Sequence, residues 1–416
     1  MICADCIKPE PLKFYINQHG DHARCLYCSN QTHCTPKNEL IAYISDRFSE
    51  SYCHTDRLSE YEQAMVFDAS SGIVDIHWLE TIVLEHFELG NEELADEVIE
   101  YIGSNLEKPD DGSTHTYFLN DGTQEHNVYQ VQWESFRQDI VHGHRFFSNT
   151  AYSFLDSLFN FISPANLLEP KLIKVLDSGD VVYRARLARD EAEQKKISER
   201  PASELGPAPR DRASSQRMTP SGISALYCSF ERNTCLSELR PIAGDIVISG
   251  AFKPHNILKL LQLNELDKLN RSDLTPLTPG FSDASHAFEF LKQLIHKMSK
   301  PKGRQDELSY ISTQVVFEYL RKKFNTQIDG ITYPSVQTGY KGINLVLFPE
   351  HSRVGITDEE WENPDHPPKL IHQKGSLIFH KIAVIQTLTH DFENLDFINF
   401  DELTRRRLGS DFGTIN

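Results

Sequence analysis

Apolar residues recur at helical spacing in the first half of the chain. They lie three or four positions apart in residues 73–89 and again in residues 94–102, and a glycine follows each run. Side chains at this spacing line one face of a helix, and a glycine commonly ends it. Two aromatic-rich segments, 133–147 and 152–162, carry similar patterns. Residues 41–165 therefore predict a small helical bundle.

The pattern changes after residue 166, where short apolar runs of strand length appear. They cover residues 180–184, 225–229, 245–253, 328–333, 343–348 and 377–384. Helical patterns lie at 286–298 and 308–324, and a final helix is predicted at 400–408. Residues 189–215 are charged and contain prolines, so they predict a long loop or lid. The mixture of strands and helices predicts an α+β domain.

Four cysteines near the N-terminus have the spacing of a zinc site. Cys3 and Cys6 form one Cys-x-x-Cys pair, and Cys25 and Cys28 form a second pair eighteen residues further on. Each pair places two thiolates on a tight turn, and four thiolates complete a tetrahedron around Zn²⁺. Such a site keeps no open position for a substrate, so we expect a structural zinc in a ribbon of residues 1–40.

Two alternatives use the same region. The four cysteines could form two disulfides, but a reducing cytosol disfavours them. His33 and Cys34 lie close to the second pair and could replace one ligand. Residues 14–24 between the pairs suit a short hairpin that turns at Gly20 and Asp21.

Charge and hydropathy narrow the class of partner. The chain has 416 residues, enough for two or three domains, and a net charge of -18. Such an acidic chain is a poor binder of nucleic acid and of anionic membranes. The longest apolar runs fall short of the roughly 18–20 residues that span a bilayer, and the N-terminus lacks a secretory signal. We expect a soluble, cytoplasmic protein without a membrane partner.

The candidate chemistry is concentrated in residues 216–253 and two flanking positions. Arg184 and Arg217 can hold a phosphate bidentately and cannot lose their charge. Tyr227 lies on a predicted strand and can stack on a flat cationic ring. Glu238, at the start of a predicted helix, can bond a ribose hydroxyl and stabilise a cationic sugar carbon. Ser335 could orient a leaving group or bond the same carboxylate.

The order of these residues resembles the RES domain, a family named for Arg, Glu and Ser. The matching positions run from a Tyr-Arg strand to a late asparagine: Tyr183-Arg184, Arg217, Gly222, Leu226-Tyr227-x-Ser229, Thr234-x-Leu236-x-Glu238, Pro334-Ser335 and Asn344. The likeness covers residues 175–350. Gln216 stands before Arg217, where the family usually has Gly.

The resemblance implies a fold similar to ADP-ribosyltransferase toxins, with NAD⁺ in the cleft. It also implies cleavage of the nicotinamide N-glycosidic bond by a hydrolase or phosphorylase, or transfer of ADP-ribose to a protein. Relatives act as toxins of toxin–antitoxin pairs or in phage defence, by depleting NAD⁺. On this resemblance, Glu238, Arg184 and Ser335 are catalytic. The substrate-binding residues are Arg217, Tyr227, Tyr183 and Asn344.

The N-terminal region resembles the HEPN-like helical domain of longer RES proteins, with a zinc ribbon before it. Arg137, His142 and His144 also have the spacing of metal-independent HEPN ribonucleases, so RNA cleavage through Arg137 and His142 is an alternative function. Gln138 replaces the small polar residue that usually follows the arginine, and the acidic chain argues against RNA. We favour a structural role for these residues, or homodimerisation through the bundle.

Together these observations predict three parts. They are a zinc ribbon (1–40), a helical HEPN-like domain (41–165) and an NAD-cleaving RES domain (166–416). An unrestrained enzyme of this kind would harm its host, so we expect an antitoxin or another regulatory protein as a partner.

Overall fold

A computed structural model of the chain describes residues 1–66, 74–105, 115–124, 127–269, 274–299, 308–356 and 367–384. The predicted helix at 400–408 lies outside these residues. Within the described ranges, each helix is too short or too polar to cross a membrane.

The N-terminal ribbon consists of three short strands and one helix. Strands β1 (Ile2–Cys3), β2 (Asp21–Arg24) and β3 (Gln31–Thr35) pair in the order β1-β3-β2. Helix α1 (Glu10–His19) lies between β1 and β2. The hairpin predicted at 14–24, with its turn at Gly20 and Asp21, is therefore wrong: the chain is helical up to His19, and β2 pairs with β3 outside this segment. Leu12 and Ile16 are four positions apart and both buried, so the helical spacing decides the structure there.

The next part is mainly helical, with a small sheet. Its helices are α2 (Lys37–Ser51), α3 (Glu60–Val66), α4 (Leu79–Thr81), α5 (Glu92–Ser104), α6 (Val128–His142) and α7 (Asn149–Asn160). Its strands are β4 (Tyr52–His54), β5 (Ile76–Trp78) and β6 (Thr116–Leu119), in the order β4-β6-β5. This sheet was not predicted.

The helix predicted at 73–89 is wrong in its described first half. Ile76 pairs with Phe118, so Ile76–Trp78 forms β5, and a π-helix follows at Ile82–His86. Pairing with β6 thus overrides the local helical spacing. The helix predicted at 94–102 is confirmed as part of α5, which begins where the Asn91 side chain accepts a hydrogen bond from the Leu94 amide at 2.9 Å.

A ten-stranded sheet dominates the C-terminal half. Its strands are β7 (Ile173–Leu176), β8 (Val182–Ala188), β9 (Leu226–Ser229), β10 (Ile246–Pro254), β11 (Leu258–Gln262), β12 (Gly330–Pro334), β13 (Ile343–Leu347), β14 (Val354–Ile356), β15 (Leu370–His372) and β16 (Ile378–Lys381). Nine of them follow the order β14-β15-β10-β8-β9-β13-β12-β11-β7, and β16 pairs with β10. The six predicted strands are all present within this sheet, and β7, β11, β14 and β15 were missed.

Among the described residues, five helices accompany the sheet: α8 (Glu191–Glu199), α9 (Pro201–Glu204), α10 (Arg232–Glu238), α11 (Phe281–Ser299) and α12 (Ile311–Phe324). The long loop or lid predicted at 189–215 is wrong, because α8 and α9 lie within it. Asp190 caps α8 by accepting the Glu193 amide at 2.8 Å. Arg186 on β8 donates to Glu204 at 2.7 Å and ties this segment to the sheet.

The largest hydrophobic core crosses from the helical part to the sheet. Residues of α6 and α7 pack there with residues of α11, α12, β12 and β13. The Trp133 ring, for example, lies 5.8 Å from the Phe290 ring, measured between centroids. The predicted boundary at residues 165 and 166 therefore falls between elements that share a core.

Candidate active site

One row of residues crosses four strands near the middle of the sheet. Tyr183 on β8 pairs with Ser229 on β9, Ser229 pairs with Asn344 on β13, and Asn344 pairs with Tyr333 on β12. Adjacent strands lie about 4.8 Å apart, so the row extends over roughly 14 Å. Two of the predicted site residues, Tyr183 and Asn344, are thus aligned across the sheet.

Glu238 lies against this row and is held by two donors. It is the last residue of α10, not near the helix start as predicted. Its Oε1 accepts a hydrogen bond from Ser335 Oγ at 2.5 Å and another from Asn344 Nδ2 at 2.7 Å. Ser229 Oγ donates to Asn344 Oδ1 at 2.6 Å, which fixes the orientation of the amide. Glu238 Oε2 has no hydrogen-bond partner among the described residues, so it remains available to a ligand.

Ser335 is fully buried directly after β12, in a turn that packs against α10. Its amide donates to the Gly342 carbonyl at 2.8 Å, and its carbonyl accepts from the Tyr340 amide at 2.9 Å. A Cβ on Gly342 would lie 2.0 Å from Thr234 Oγ1 of α10, so only glycine permits this approach. The turn therefore fixes the Ser335 hydroxyl relative to the helix that carries Glu238.

Tyr227 is half-buried and holds the segment that carries Arg217. Its phenol oxygen accepts from the Met218 amide at 3.2 Å and lies 3.1 Å from Thr219 Oγ1. Burial raises the pKa of Tyr227 to about 12, so the phenol is neutral at physiological pH. The ring packs against the core that contains Tyr333. Tyr227 thus has a structural role in holding the segment that carries Arg217, in addition to any stacking of its ring on a ligand.

Arg184 lies where two strands separate. In the described part, β8 and β9 are joined by the single register pair of Tyr183 and Ser229. Arg184 Nη1 donates to the Tyr227 carbonyl at 3.0 Å, beyond that pair. Burial lowers the pKa of the Arg184 guanidinium, but an arginine stays charged at neutral pH. A guanidinium has five N–H donors, so most of them remain for an anion.

Arg217 is held among aromatic rings. Its guanidinium carbon lies 6.0 Å from the Tyr310 ring centroid and 5.8 Å from that of Tyr333, and its Nη1 donates to the Ser299 carbonyl. Both distances are within reach of a cation–π interaction. Arg217 and Glu238 therefore both contact side chains of the β12 region: Arg217 lies over Tyr333, and Glu238 bonds Ser335.

The sequence did not reveal Arg232, the first residue of α10. Its guanidinium carbon lies 4.6 Å from the Tyr183 ring centroid, and its nitrogens donate to Ser249 Oγ at 2.5 Å and to the Ser376 carbonyl at 3.2 Å. Ser249 Oγ also lies 2.8 Å from His380 Nε2. These partners come from β10, β16 and the turn before β16. Only the pairing of strands that are distant in sequence brings these partners together, so no local spacing in the sequence indicates the contact.

Cys228 and Cys235 are packing residues, as expected. Both are buried, and burial raises the pKa of each thiol to about 12. The thiolate is the nucleophilic form of cysteine, and it is scarce at neutral pH in such surroundings.

The four N-terminal cysteines fit a zinc ion. The sulfurs of Cys3, Cys6, Cys25 and Cys28 all lie within 4.8 Å of one another. Three of the separations are 3.6, 3.6 and 3.8 Å. A tetrahedral site with Zn–S bonds of about 2.3 Å requires sulfurs about 3.8 Å apart. The alternative ligands do not join them: Cys34 Sγ donates to the Ala23 carbonyl, and His33 Nδ1 lies 3.1 Å from the Gly20 carbonyl.

The residues of the alternative ribonuclease site are exposed, and Arg137 and His144 have other partners. Arg137 pairs with Glu134 at 3.0 Å, and His144 lies 3.8 Å from Asp139. His142 is the last residue of α6. Within the described chain, no hydrogen bond or ion pair joins Arg137 to His142.

Comparison with known families agrees with this architecture. Residues 182–366 match the family model of the RES domain, and residues 18–153 match the HEPN/RES N-terminal domain 1. The chain therefore contains a HEPN/RES N-terminal domain followed by a RES domain. RES domains are associated with NAD⁺-related toxin activity. No curated protein matches the chain.

Proposed function

We propose that this protein cleaves the N-glycosidic bond between nicotinamide and ribose in NAD⁺. The observation that carries the proposal is the environment of Glu238. Two donors hold its Oε1, and its Oε2 lacks a partner among the described residues. A carboxylate fixed in this way is suited to bond a ribose hydroxyl and to offset positive charge on the sugar.

The reaction follows from these groups. The bond between ribose C1′ and the nicotinamide nitrogen breaks, and its electron pair stays on that nitrogen, which becomes neutral. The sugar carbon takes on cationic character beside the Glu238 carboxylate. A nucleophile then bonds to C1′ and loses its proton. Ser335 and Asn344 act by positioning Glu238.

The positive charges of Arg184 and Arg217 complement the negative charge of the substrate's diphosphate. Arg184 keeps further N–H donors beyond its bond to the Tyr227 carbonyl, and Arg217 keeps further donors beyond its bond to the Ser299 carbonyl. Arginine binds phosphate oxygens bidentately, and this geometry orients as well as attracts. Tyr183, at the end of the row, offers a ring for stacking on a base. A zinc ion held by Cys3, Cys6, Cys25 and Cys28 would take no part in this chemistry, because four thiolates would fill its coordination.

Depletion of NAD⁺ would make the protein a toxin or a phage-defence effector in the cytoplasm. Its activity would then require restraint by an antitoxin or another regulatory partner. Water, inorganic phosphate and a protein side chain each fit as the acceptor, and the product distinguishes them. Water gives ADP-ribose, phosphate gives the 1-phosphorylated ADP-ribose, and a protein acceptor becomes ADP-ribosylated.

The test is release of nicotinamide from NAD⁺, measured by chromatography with and without phosphate. We expect turnover by the wild type and a loss of about 10²–10³-fold in Glu238→Gln, which keeps the shape and removes the charge. Glu191→Gln is the matched control, because Glu191 is an exposed carboxylate on α8. Equal turnover by Glu238→Gln and the wild type would contradict the assignment.

A further inference from the structure

Helix α11 connects the N-terminal part of the chain to the candidate active site. It has 19 residues, which corresponds to roughly 28 Å at 1.5 Å per residue. The first turns of α11 form hydrogen bonds with residues just before α6 and with the first residues of α6. The last described residue of α11, Ser299, bonds Arg217. The two ends therefore contact different parts of the protein.

Five hydrogen bonds hold the first turns of α11, and we call this set the junction. Ser282 Oγ donates to the Asn120 carbonyl at 2.9 Å, and Tyr129 OH donates to Asp283 at 3.1 Å. The other three involve His286. Each bond joins α11 to residues 120–129, which belong to the segment matched by the HEPN/RES N-terminal domain.

His286 is the centre of the junction and is 4% exposed. Its Nδ1 accepts from the Val128 amide at 3.1 Å, so its proton lies on Nε2, which is 2.9 Å from Asn120 Oδ1. Asn127 Nδ2 donates to the His286 carbonyl at 3.1 Å. The side chain and backbone of one residue thus fix the helix in both position and rotation.

The opposite end of α11 holds Arg217. The last carbonyls of a helix lack partners within the helix, and the helix dipole places partial negative charge there. Arg217 Nη1 donates to the carbonyl of Ser299, the last described residue of α11. The His296 ring lies 5.4 Å from the Tyr340 ring, which places a second α11 residue against the turn that follows Ser335. The end of α11 therefore meets the site at two points.

The backbone of the Arg217 segment is held separately by α12. Thr313 Oγ1 donates to the Arg217 carbonyl at 2.5 Å, and Gln314 Nε2 donates to the Gln216 carbonyl at 2.8 Å. Helix α12 thus holds the main chain of the segment, and the end of α11 holds its guanidinium together with the Tyr310 and Tyr333 rings. The segment therefore has two supports, and a shift of α11 would weaken one of them.

We propose that α11 carries the placement of the N-terminal domain to Arg217, and that His286 is a positioning residue for substrate binding. The N-terminal domain thereby contributes to substrate binding indirectly, through the position of Arg217. Loosening the junction moves the Ser299 carbonyl, and Arg217 then loses its orientation toward the substrate phosphates. This inference rests on the proposed function for its effect on NAD⁺, but its structural part can be tested without NAD⁺.

Two variants loosen the junction to different degrees. Tyr129→Phe removes one bond and keeps the ring, and His286→Ala removes the side chain. Tyr52→Phe is the matched control, because it removes a buried tyrosine hydroxyl whose partner, His86 Nδ1 at 2.7 Å, is not a junction residue. Two readouts apply to the full chain: hydrogen exchange of residues 213–222, and KM and kcat for NAD⁺.

For Tyr129→Phe we expect faster exchange in residues 213–222 and a KM raised by up to about fivefold. That limit is reached if the whole of the lost junction bond, about 1 kcal/mol, is taken from substrate binding. The kcat should stay within about twofold, because a lost substrate contact that acts equally in the ground and transition states changes KM alone. His286→Ala should show the same changes more strongly, and Tyr52→Phe should show neither.

The outcomes separate the two claims. Unchanged exchange in both junction variants would overturn the role of α11, and so would faster exchange without a change in KM. Absence of nicotinamide release by the wild type would instead overturn the proposed function. In that case faster exchange in the junction variants alone would still support the link between α11 and Arg217.

Discussion

Removal of the Ser335 hydroxyl is the most direct perturbation of the Glu238 environment. Ser335 is fully buried and donates to Glu238 Oε1 at 2.5 Å. The change Ser335→Ala deletes one oxygen atom and adds none, so it creates no steric conflict. Asn344 Nδ2 remains at 2.7 Å as the second donor. The carboxylate therefore keeps its charge and one of its two supports.

The size of the effect follows from the kind of bond that is lost. A hydrogen bond to a charged group contributes about 1.5–3 kcal/mol. Each 1.36 kcal/mol of lost transition-state stabilisation lowers a rate tenfold, so we expect kcat to fall by about 10–150-fold. Asn344→Ala should have a comparable effect. The double variant should lose less than the product of the two single losses, because both donors hold the same oxygen.

The assay is nicotinamide release under saturating NAD⁺, with a thermal unfolding curve for each variant. Ser237→Ala is the matched control. Ser237 precedes Glu238 in the chain, and its hydroxyl donates to the Asn233 carbonyl at 3.0 Å. The same substitution is thus made one residue from Glu238 without touching the carboxylate. We expect Ser237→Ala to retain wild-type kcat.

Two results would refute this reasoning. A kcat for Ser335→Ala within twofold of the wild type would mean that the Ser335 bond is irrelevant to the reaction. Losses in Ser335→Ala and Asn344→Ala that multiply fully in the double variant would mean that the two residues act independently. Glu238 would then not be the group through which they work.

Two further predictions concern metal and pH. The wild type should bind one zinc ion per chain by elemental analysis; Cys25→Ser should lose the metal and melt at a lower temperature, because binding stabilises the fold. Cys34→Ser should keep the zinc, and loss of zinc from both variants alike would contradict the four-cysteine site. Burial lowers the pKa of His286 below its ordinary value of 6.5, although Asp121 and Asp283 oppose the shift. As the pH falls, the unfolded chain therefore protonates His286 at a higher pH than the folded chain does. The contribution of the neutral His286 to stability is complete above pH 6.5 and is lost as the pH falls through the folded pKa. Urea unfolding from pH 7.5 to 5.5 should show a smaller loss of stability in His286→Asn than in the wild type; equal losses would argue against this contribution.

Short-range patterns predicted much of the fold. Each Cys-x-x-Cys pair is a local feature, and the six apolar runs after residue 166 became strands. Patterns failed where distant pairing decides the structure. Residues 76–78 have helical spacing, but Ile76 pairs with Phe118 across β6. The charged residues 189–215 read as a loop, but Asp190 supplies a helix cap that a charge count does not register.

The residues of the candidate site were predicted one by one, and of their arrangement only the bond between Ser335 and the Glu238 carboxylate was predicted, as one of two alternatives. The resemblance to the RES domain pointed to Glu238, Ser335 and Asn344, and the structure brings these three into one hydrogen-bond network. The resemblance did not indicate that Ser335 and Asn344 donate to the same oxygen of the Glu238 carboxylate. Arg232 was missed, because its partners Ser249 and Ser376 depend on how β10, β15 and β16 come together. Register across a sheet is a property of the whole chain, and local spacing does not encode it.

The core shared by α6, α7, α11 and α12 has a consequence for how this protein can be controlled. Phe290 of α11 contacts Trp133 of α6 and Phe154 of α7. A protease that cut the chain near residue 165 would not release an active half, because this core would still hold the two pieces together. Separate production of the C-terminal half would expose the apolar face of α11 to water and favour aggregation. A regulator of the proposed activity would therefore have to act on the intact molecule, by binding or by a change in conformation.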